Sequence, residues 1–361
     1  MNYTKPLSFI IVGSGWRSLF YARIAKKYPK QFQLKYMLCR SQEKADKMAT
    51  EHGIPTTTSI ETCEEAKPDF VVIAVSKNSL CAETMKWARK GFAVLCETPA
   101  AGSIEELKEL WDLTQRGAKI QIAEQYHRYP SMVAGLDAIE KGLLHDPYAV
   151  SLSMAHDYHG ASLIRRMLQP DNPTNLKLEY LSGAQYTFPV TETDSRYGDI
   201  TDGRVKSSTR SVITMGFAGG KVAFYDFDGT LYHSYIRTRH VNVQGKDGEW
   251  SDTMLRYVDE QHLPVTEQLK VWLDPRYACL ETEELCRKSI EWSPIINMDN
   301  EQDEYAIATM MFDMGEYIRG GEEVYPMAEA LEDAYLFLLI REAVAAPGKN
   351  ILPEKMPWQV L

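Results

Sequence analysis

The chain has 361 residues, 44% hydrophobic and 25% charged, which suits a soluble globular protein with enough length for two cores. A formal charge of −10 at pH 7 argues against a nucleic-acid partner, which needs clustered Lys and Arg. The longest apolar runs, at 70–75 and 335–340, are too short to span a bilayer, so no membrane partner is expected.

Six cysteines show no C-x-x-C pair and no metal-ligand spacing, so neither disulfides nor a metal site is expected. The first residues, Met1-Asn-Tyr-Thr-Lys-Pro, contain no apolar signal core, and a cytoplasmic location is the expectation.

Residues 9–18 read Phe-Ile-Ile-Val-Gly-Ser-Gly-Trp-Arg-Ser. The apolar, β-branched start predicts a buried parallel strand, Gly13 and Gly15 a tight turn, and Ser18 onward a helix. Such a turn aims backbone N–H groups and the positive end of a helix dipole at one point, which suits a pyrophosphate. Gly13 permits the turn, Ser14 lies within it, and Gly15 removes a Cβ that would hold phosphates away. Ser18 stands where the usual G-x-G-x-x-G fingerprint has its third small residue. A dinucleotide is the expected ligand.

The next strand is predicted over 32–38, ending in Cys39-Arg40-Ser41. NAD-preferring folds place a carboxylate here for the ribose hydroxyls; this chain offers the forked cation of Arg40 and the hydroxyl of Ser41. NADP is therefore favoured over NAD. A helix over 43–52, a brief strand over 55–60 and an apolar strand over 69–75 follow, and the Ser76-Lys77-Asn78 loop is expected over the cofactor. A helix over 79–90 stops at Gly91, and a strand over 93–96 delivers Glu97-Thr98-Pro99. Ser103 and Glu106 form a capping box for the next helix, and a strand over 119–123 leads into Glu124-Gln125-Tyr126.

Four segments, Val12-Gly-Ser-Gly-Trp-Arg17, Val71-Val-Ile-Ala74, Val94-Leu-Cys-Glu-Thr-Pro-Ala-Ala101 and Ala123-Glu-Gln-Tyr126 with Pro130, resemble the Gfo/Idh/MocA family of oxidoreductases. The resemblance covers about the first 170 residues. It implies an N-terminal Rossmann domain, taken as 1–126, and a second substrate-binding and oligomerisation domain, 127–361, with a mostly antiparallel sheet and flanking helices. It also implies that Trp16, Arg17, Glu97, Thr98 and Gln125 join the cofactor-binding set. Thr98 departs from the family, whose lysine at this position assists proton transfer; threonine can donate one hydrogen bond but cannot titrate near neutral pH.

A helix is predicted over 132–143 and a strand over 148–154, ending in Ala155-His156-Asp157-Tyr158-His159, then a helix over 160–168. Against the family pattern D-x-G-x-H-x-x-D-x-x-R, His159 matches the His, Ser162 replaces the Asp and Arg165 matches the Arg. The resemblance makes His159 the candidate acid or base, with Asp157 or His156 orienting it, and the chemistry agrees because imidazole titrates near neutrality. Tyr126 and His127 are expected substrate contacts at the domain junction.

From 178 to 243 successive strands are predicted, with hairpin turns at 218–220 and 246–248. In the family one face of such a sheet often packs on another subunit, so a homo-oligomer, dimer or tetramer, is expected. The aromatic residues Tyr180, Tyr186, Phe188, Phe217, Phe224 and Tyr225 are assigned to core and interface. Residues 226–230 spell D-x-D-G-T, the nucleophile motif of haloacid-dehalogenase-like phosphatases, but no downstream G-D-x-x-x-D exists, and the match reads as a strand ending in a turn. Residues 254–284 are polar, with Trp272 and Tyr277 expected to line a pocket; 301–319 and 327–345 are helical; and 347–361 is an arm expected to fold onto a neighbour.

Taken together, the expected activity is an NAD(P)-dependent dehydrogenase acting on a CH–OH group of a carbohydrate-like substrate, a sugar, cyclitol or glycoside. The alternatives are a nucleotide-binding accessory subunit without turnover, or redox-neutral cleavage of a glycoside.

Overall fold

β-Branched runs alternating with capped helices build a parallel sheet in the computed structural model, which describes residues 5–195, 198–232, 234–288 and 300–359. The elements in order are β1 (Leu7–Val12), α1 (Trp16–Lys27), β2 (Phe32–Leu38), α2 (Gln42–His52), β3 (Thr56–Thr57), α3 (Ile60–Glu65), β4 (Phe70–Ile73), α4 (Lys77–Arg89), β5 (Val94–Cys96), α5 (Ile104–Gln115) and β6 (Ile120–Ile122). The strands pair in parallel in the order β3-β2-β1-β4-β5-β6. This is the doubly wound order, and its direction of growth reverses between β1 and β4, where ligands bind in such sheets.

Local chemistry fixes the helix starts. Ser103 caps α5 by accepting the Glu106 N–H at 3.2 Å, and Glu106 Oε2 accepts the Gly102 N–H at 2.8 Å, so the expected capping box closes one residue further out. The strand expected to reach Ile60 is instead short: Ser59 accepts the Thr62 N–H at 3.0 Å and starts α3 at Ile60. The cap outweighs the β-propensity of the threonines.

Of the described residues, 5–125, 273–282 and 300–334 form one compact unit and the others a second. In the second unit α6 (Pro130–Glu140), β7 (Ala149–Ser153), α7 (Asp157–Leu168), β8 (Leu178–Thr191), the short β9 (Asp194–Ser195) and β10 (Gly198–Asp199), β11 (Val205–Phe217) and β12 (Lys221–Phe227) are followed by β13 (His240–Gln244), β14 (Gly248–Ser251), β15 (Met254–Val258) and β16 (Pro264–Gln268). Its eight-stranded sheet runs β16-β15-β14-β13-β7-β12-β11-β8, antiparallel except at β7–β12. The polar stretch from 254 thus begins with two further strands, then a 3₁₀ turn Pro275–Leu280 and α8 (Glu283–Lys288). Last come α9 (Asn300–Ile318) and α10 (Met327–Ala345).

One face of this sheet is core, with Val150, Leu152, Ile213, Met215, Ala223 and Tyr225 buried. Gly160 lets α7 press onto it: a Cβ there would lie 2.6 Å from the Tyr225 ring. The tail expected to reach a neighbour folds back on its own unit. Ile351 bridges Leu181, and Trp358 is buried edge-on against Tyr335; residues 360 and 361 lie outside the described residues. Tyr277 is buried and donates to Asp313 at 2.6 Å, whereas Trp272 is exposed.

The D-x-D-G-T stretch closes β12 between antiparallel β11 and parallel β7. Arg210 and Ser153 hold Asp226, and Asp228 accepts the Thr230 N–H at 2.8 Å with Arg210 Nη1 3.7 Å from its other oxygen. Both carboxylates therefore serve a turn and an ion pair. Among the described residues no cluster of three His, Cys, Asp or Glu could hold a metal ion, and no helix is long and apolar enough to cross a membrane.

Candidate functional site

The turn after β1 opens a cleft of about 960 Å³ in the first unit. Gly13 has φ +117°, and a Cβ on it would lie 2.3 Å from the Ala74 carbonyl oxygen, so the end of β4 leaves room for glycine alone. Gly15 caps α1 with φ −85°, a conformation any residue adopts, and a Cβ there would meet nothing within 4 Å. The protein itself does not demand glycine at 15; the open space there is what a pyrophosphate on the helix N-terminus needs. Ser18 donates to the Ala74 oxygen at 3.3 Å and draws α1 onto the sheet, the role of the third small residue.

Gly13, Ser14, Gly15, Trp16, Arg17, Arg40, Ser41 and Ser76 all line this cleft. Asn78 does not: it is exposed in the first turn of α4, and Ser79 lines the wall instead. Ser41 caps α2, accepting the Lys44 N–H at 3.3 Å, so its hydroxyl is partly committed to the helix. Sequence reasoning missed Lys44, Lys47 and Lys86 on the same walls; with Arg17 and Arg40 they set five cations against the carboxylates of Glu43 and Glu83. The spacing of Lys44 and Lys47, one turn apart directly after Arg40-Ser41, is the signal that could have found them. Lys86 pairs with Glu83 at 3.1 Å. Burial pushes the Cys39 thiol up, so a neutral group sits at the end of β2.

Glu97, Thr98 and Gln125 are not in the cleft wall. Glu97 is buried and accepts the Tyr21 hydroxyl at 2.7 Å, with Arg17 Nε 3.6 Å away. Burial raises its carboxyl above the ordinary range, against the pull of Arg17, the Tyr21 hydrogen bond and the Thr98 N–H. Burial and the facing Glu97 raise Tyr21 as well. Arg17 reaches past Glu97 to donate to Asp303 Oδ2 at 2.9 Å, and Gln125 donates to Asp303 Oδ1 at 3.2 Å. Asp303, on α9, was invisible as a site residue in the sequence. Thr98 is half-buried beside this network.

The second group of expected site residues lies in the second unit. His156 caps α7, which puts Asp157 at its first position and His159 in its first turn. Asp157 has φ +38°, and its N–H donates to the Tyr225 hydroxyl at 2.6 Å, which in turn donates to the Ala155 oxygen at 2.8 Å. His159 is only 3% exposed, its ring 4.3 Å from that of Tyr126 and 4.8 Å from that of His156, nearly perpendicular. The Tyr126 hydroxyl donates to that of Tyr232 at 3.1 Å, and Tyr232 bonds His156 Nδ1. Burial and the neighbouring Tyr232 and Tyr129 raise Tyr126 well above the usual phenol range. Burial, reinforced by Arg166 and Arg128, holds His127 neutral. Arg165, buried, donates to the Pro173 oxygen at 2.6 Å, and Ser162 is buried beside it on α7. Tyr232 went unnoticed in the sequence because it follows a turn motif with no strand or helix periodicity.

Residues 7–125 match the Gfo/Idh/MocA model, described as an oxidoreductase family with an NAD-binding Rossmann fold. No curated protein matches the chain. Among solved structures, levoglucosan dehydrogenase in complex with NADH and levoglucosan is 15% identical with a TM-score of 0.70, over 97% of this chain and 100% of that one. The WlbA dehydrogenase from Bordetella pertussis, in complex with NADH and UDP-GlcNAcA, is 14% identical with a TM-score of 0.64, over 98% and 99%. An oxidoreductase from Agrobacterium radiobacter, in complex with NAD+, L-tartaric acid and magnesium, is 13% identical with a TM-score of 0.68, over 96% and 98%. At these identities the likeness is one of fold: a Rossmann unit followed by a mostly antiparallel sheet with helices.

Proposed function

We propose that this chain, whose residues 7–125 match the Gfo/Idh/MocA oxidoreductase model, is an NAD(P)-dependent dehydrogenase acting on a secondary alcohol of a carbohydrate-like substrate. The observation that carries the cofactor reading is the cleft at the ends of β1, β2 and β4, with open space at Gly15 and a surplus of cations. A diphosphate fits those residues: the N-terminal turn of α1 offers backbone N–H groups, and Ser14 and Arg17 flank them. Bound there, a nicotinamide cofactor supplies the hydride acceptor or donor. NADP is preferred, because Arg40, Lys44 and Lys47 gather positive charge where a 2′-phosphate sits in such folds.

The carbohydrate class draws support from the levoglucosan dehydrogenase and WlbA neighbours, whose names carry sugar ligands. Thr98 supplies a hydrogen bond without charge, so proton transfer falls to His159, whose imidazole is held in the first turn of α7 against Tyr126, with Asp157 beginning that turn. The protein assembles as a homo-oligomer through the open face of the second sheet.

The test is nucleotide reduction against a panel of sugars, inositols and glycosides, with calorimetric Kd values for NADP and NAD. Turnover is expected with at least one alcohol, and NADP is expected to bind about tenfold more tightly, a preference that Arg40→Ala removes. Nucleotide binding without any turnover would overturn the enzyme reading; tighter NAD would overturn the cofactor reading.

A further inference from the structure

Arg17 stands in the first turn of α1, the positive end of the helix dipole, where a cation is held against the field. What holds it comes from much later in the chain. Its Nη1 donates to Asp303 Oδ2 at 2.9 Å, and its Nε lies 3.6 Å from Glu97 Oε1, the same oxygen that accepts the Tyr21 hydroxyl at 2.7 Å. Gln125 donates to the other oxygen of Asp303 at 3.2 Å. Asp303 itself lies in the first turn of α9, where the dipole favours a carboxylate. Two rings bound the guanidinium, with the Trp16 centroid at 5.3 Å and the Phe20 centroid at 4.9 Å. All of these groups belong to the first unit.

Of Arg17, Tyr21, Glu97, Gln125 and Asp303, Arg17 alone lines the nucleotide cleft. The other four are buried behind its wall. The network therefore acts on the cleft through one guanidinium. Its two carboxylates are unequal partners: Asp303 makes the hydrogen bond, and Glu97 stands further off.

We propose that Asp303 is a positioning residue of the nucleotide site, fixing the Arg17 guanidinium at the cleft wall as a donor for the diphosphate; this rests on the nucleotide reading above. The site that the segment 7–125 builds is then completed by a side chain of α9. Arginine gives up rotamer freedom when it binds phosphate, and a guanidinium already anchored at one nitrogen has less to lose. Without Asp303, Glu97 is the carboxylate left to draw the fork, and it draws it behind the wall. The anchor has an electrostatic cost, since a carboxylate near the cleft repels phosphate. Position and charge thus act with opposite signs, and Asp303→Asn separates them. It keeps an oxygen for Arg17 Nη1 and removes the charge. Gln125, whose Oε1 is buried without a partner among the described residues, can turn its amide to accept the new N–H.

The test is calorimetry of the full chain with ADP, with adenosine as the control that lacks the diphosphate. Arg17→Ala is expected to weaken ADP about tenfold and Asp303→Ala about fivefold, with adenosine affinity unchanged in both. Asp303→Asn should bind ADP at least as tightly as wild type. In the Arg17→Ala background, Asp303→Ala should change the ADP Kd by less than about twofold, because no guanidinium is left to position.

A purely structural role for Asp303 would weaken adenosine along with ADP and would add to the Arg17→Ala effect; either result overturns the proposal. Tighter ADP binding in Asp303→Ala overturns it too, as does an Asp303→Asn protein as weak as Asp303→Ala. A wild type that binds neither ADP nor NADP overturns the nucleotide reading, and the positioning role with it. Wild-type binding that is indifferent to residue 303 overturns the positioning role alone.

Discussion

Gly13 and Gly15 look equivalent in the sequence and are different in the structure. Alanine at 13 would combine a left-handed φ of +117° with a Cβ 2.3 Å from the Ala74 oxygen, and neither the turn nor the end of β4 can yield without disturbing the other. Gly13→Ala is expected to cost about 3 kcal/mol in urea unfolding. Alanine at 15 enters open space at φ −85°, so Gly15→Ala should stay within about 0.5 kcal/mol of wild type. Its effect should appear in calorimetry instead, as a nucleotide Kd weakened about tenfold. Equal nucleotide affinity in Gly15→Ala would show that the open space there is not a phosphate seat. The turn was legible because strand, glycines and helix are consecutive. Lys44, Lys47 and Lys86 were less so, because only the fold brings α2 and α4 to the wall of the cleft that the turn opens.

Helices α1, α2, α4 and α5 of the first unit could be read locally, but the pairing of α1 with α9 could not, since the two are nearly 300 positions apart. Three cations of α1 meet three carboxylates at the start of α9: Arg17 with Asp303, Arg23 with Glu304 and Lys27 with Glu301. They are unequal. The Arg17 and Asp303 side chains are 24% and 12% exposed, and Asp303 also accepts Gln125, whereas Arg23 is 44% exposed. Removing one partner of a largely buried pair strands the other, while an exposed pair is screened by water and salt. Asp303→Ala is therefore expected to lower unfolding free energy by about 2 kcal/mol and Arg23→Ala by less than about 1 kcal/mol. Urea titrations at low and at high salt check both: the Arg23 effect should fade with salt and the Asp303 effect should persist. The misread element, α3, has the same lesson in miniature. Thr56 and Thr57 favour a strand, and the Ser59 side chain decides for a helix one residue later.

At the scale of the whole molecule the alternation of strands and helices followed by successive strands announced two kinds of sheet, and both are present. The return of residues 273–282 and 300–334 to the first unit was not announced, because no local pattern encodes which unit a late helix joins. The second sheet carries one more consequence. Residues directly paired across strands share a face, and the register sets Tyr186 opposite Arg210, Val212 opposite Ala184 and Asp226, and Phe224 opposite Thr214 and Ser151. That face keeps Tyr186 61% exposed, Phe224 51% and Val212 41%, while Ile213, Met215, Ala223 and Tyr225 on the opposite face of β11 and β12 are buried. Monomers rarely expose so many large apolar side chains together, and a second copy of the face would cover them with about 800 Å² per partner. Sedimentation is expected to give a dimer or tetramer. Phe224→Asp with Val212→Asp places like charges on a self-facing surface and should shift the protein to monomer, with far-ultraviolet circular dichroism unchanged because both side chains point away from the core. A wild-type protein that sediments as a monomer across micromolar concentrations would mean that this face is left to water, its polar neighbours Arg210, Asp226 and Thr214 being enough to keep it soluble.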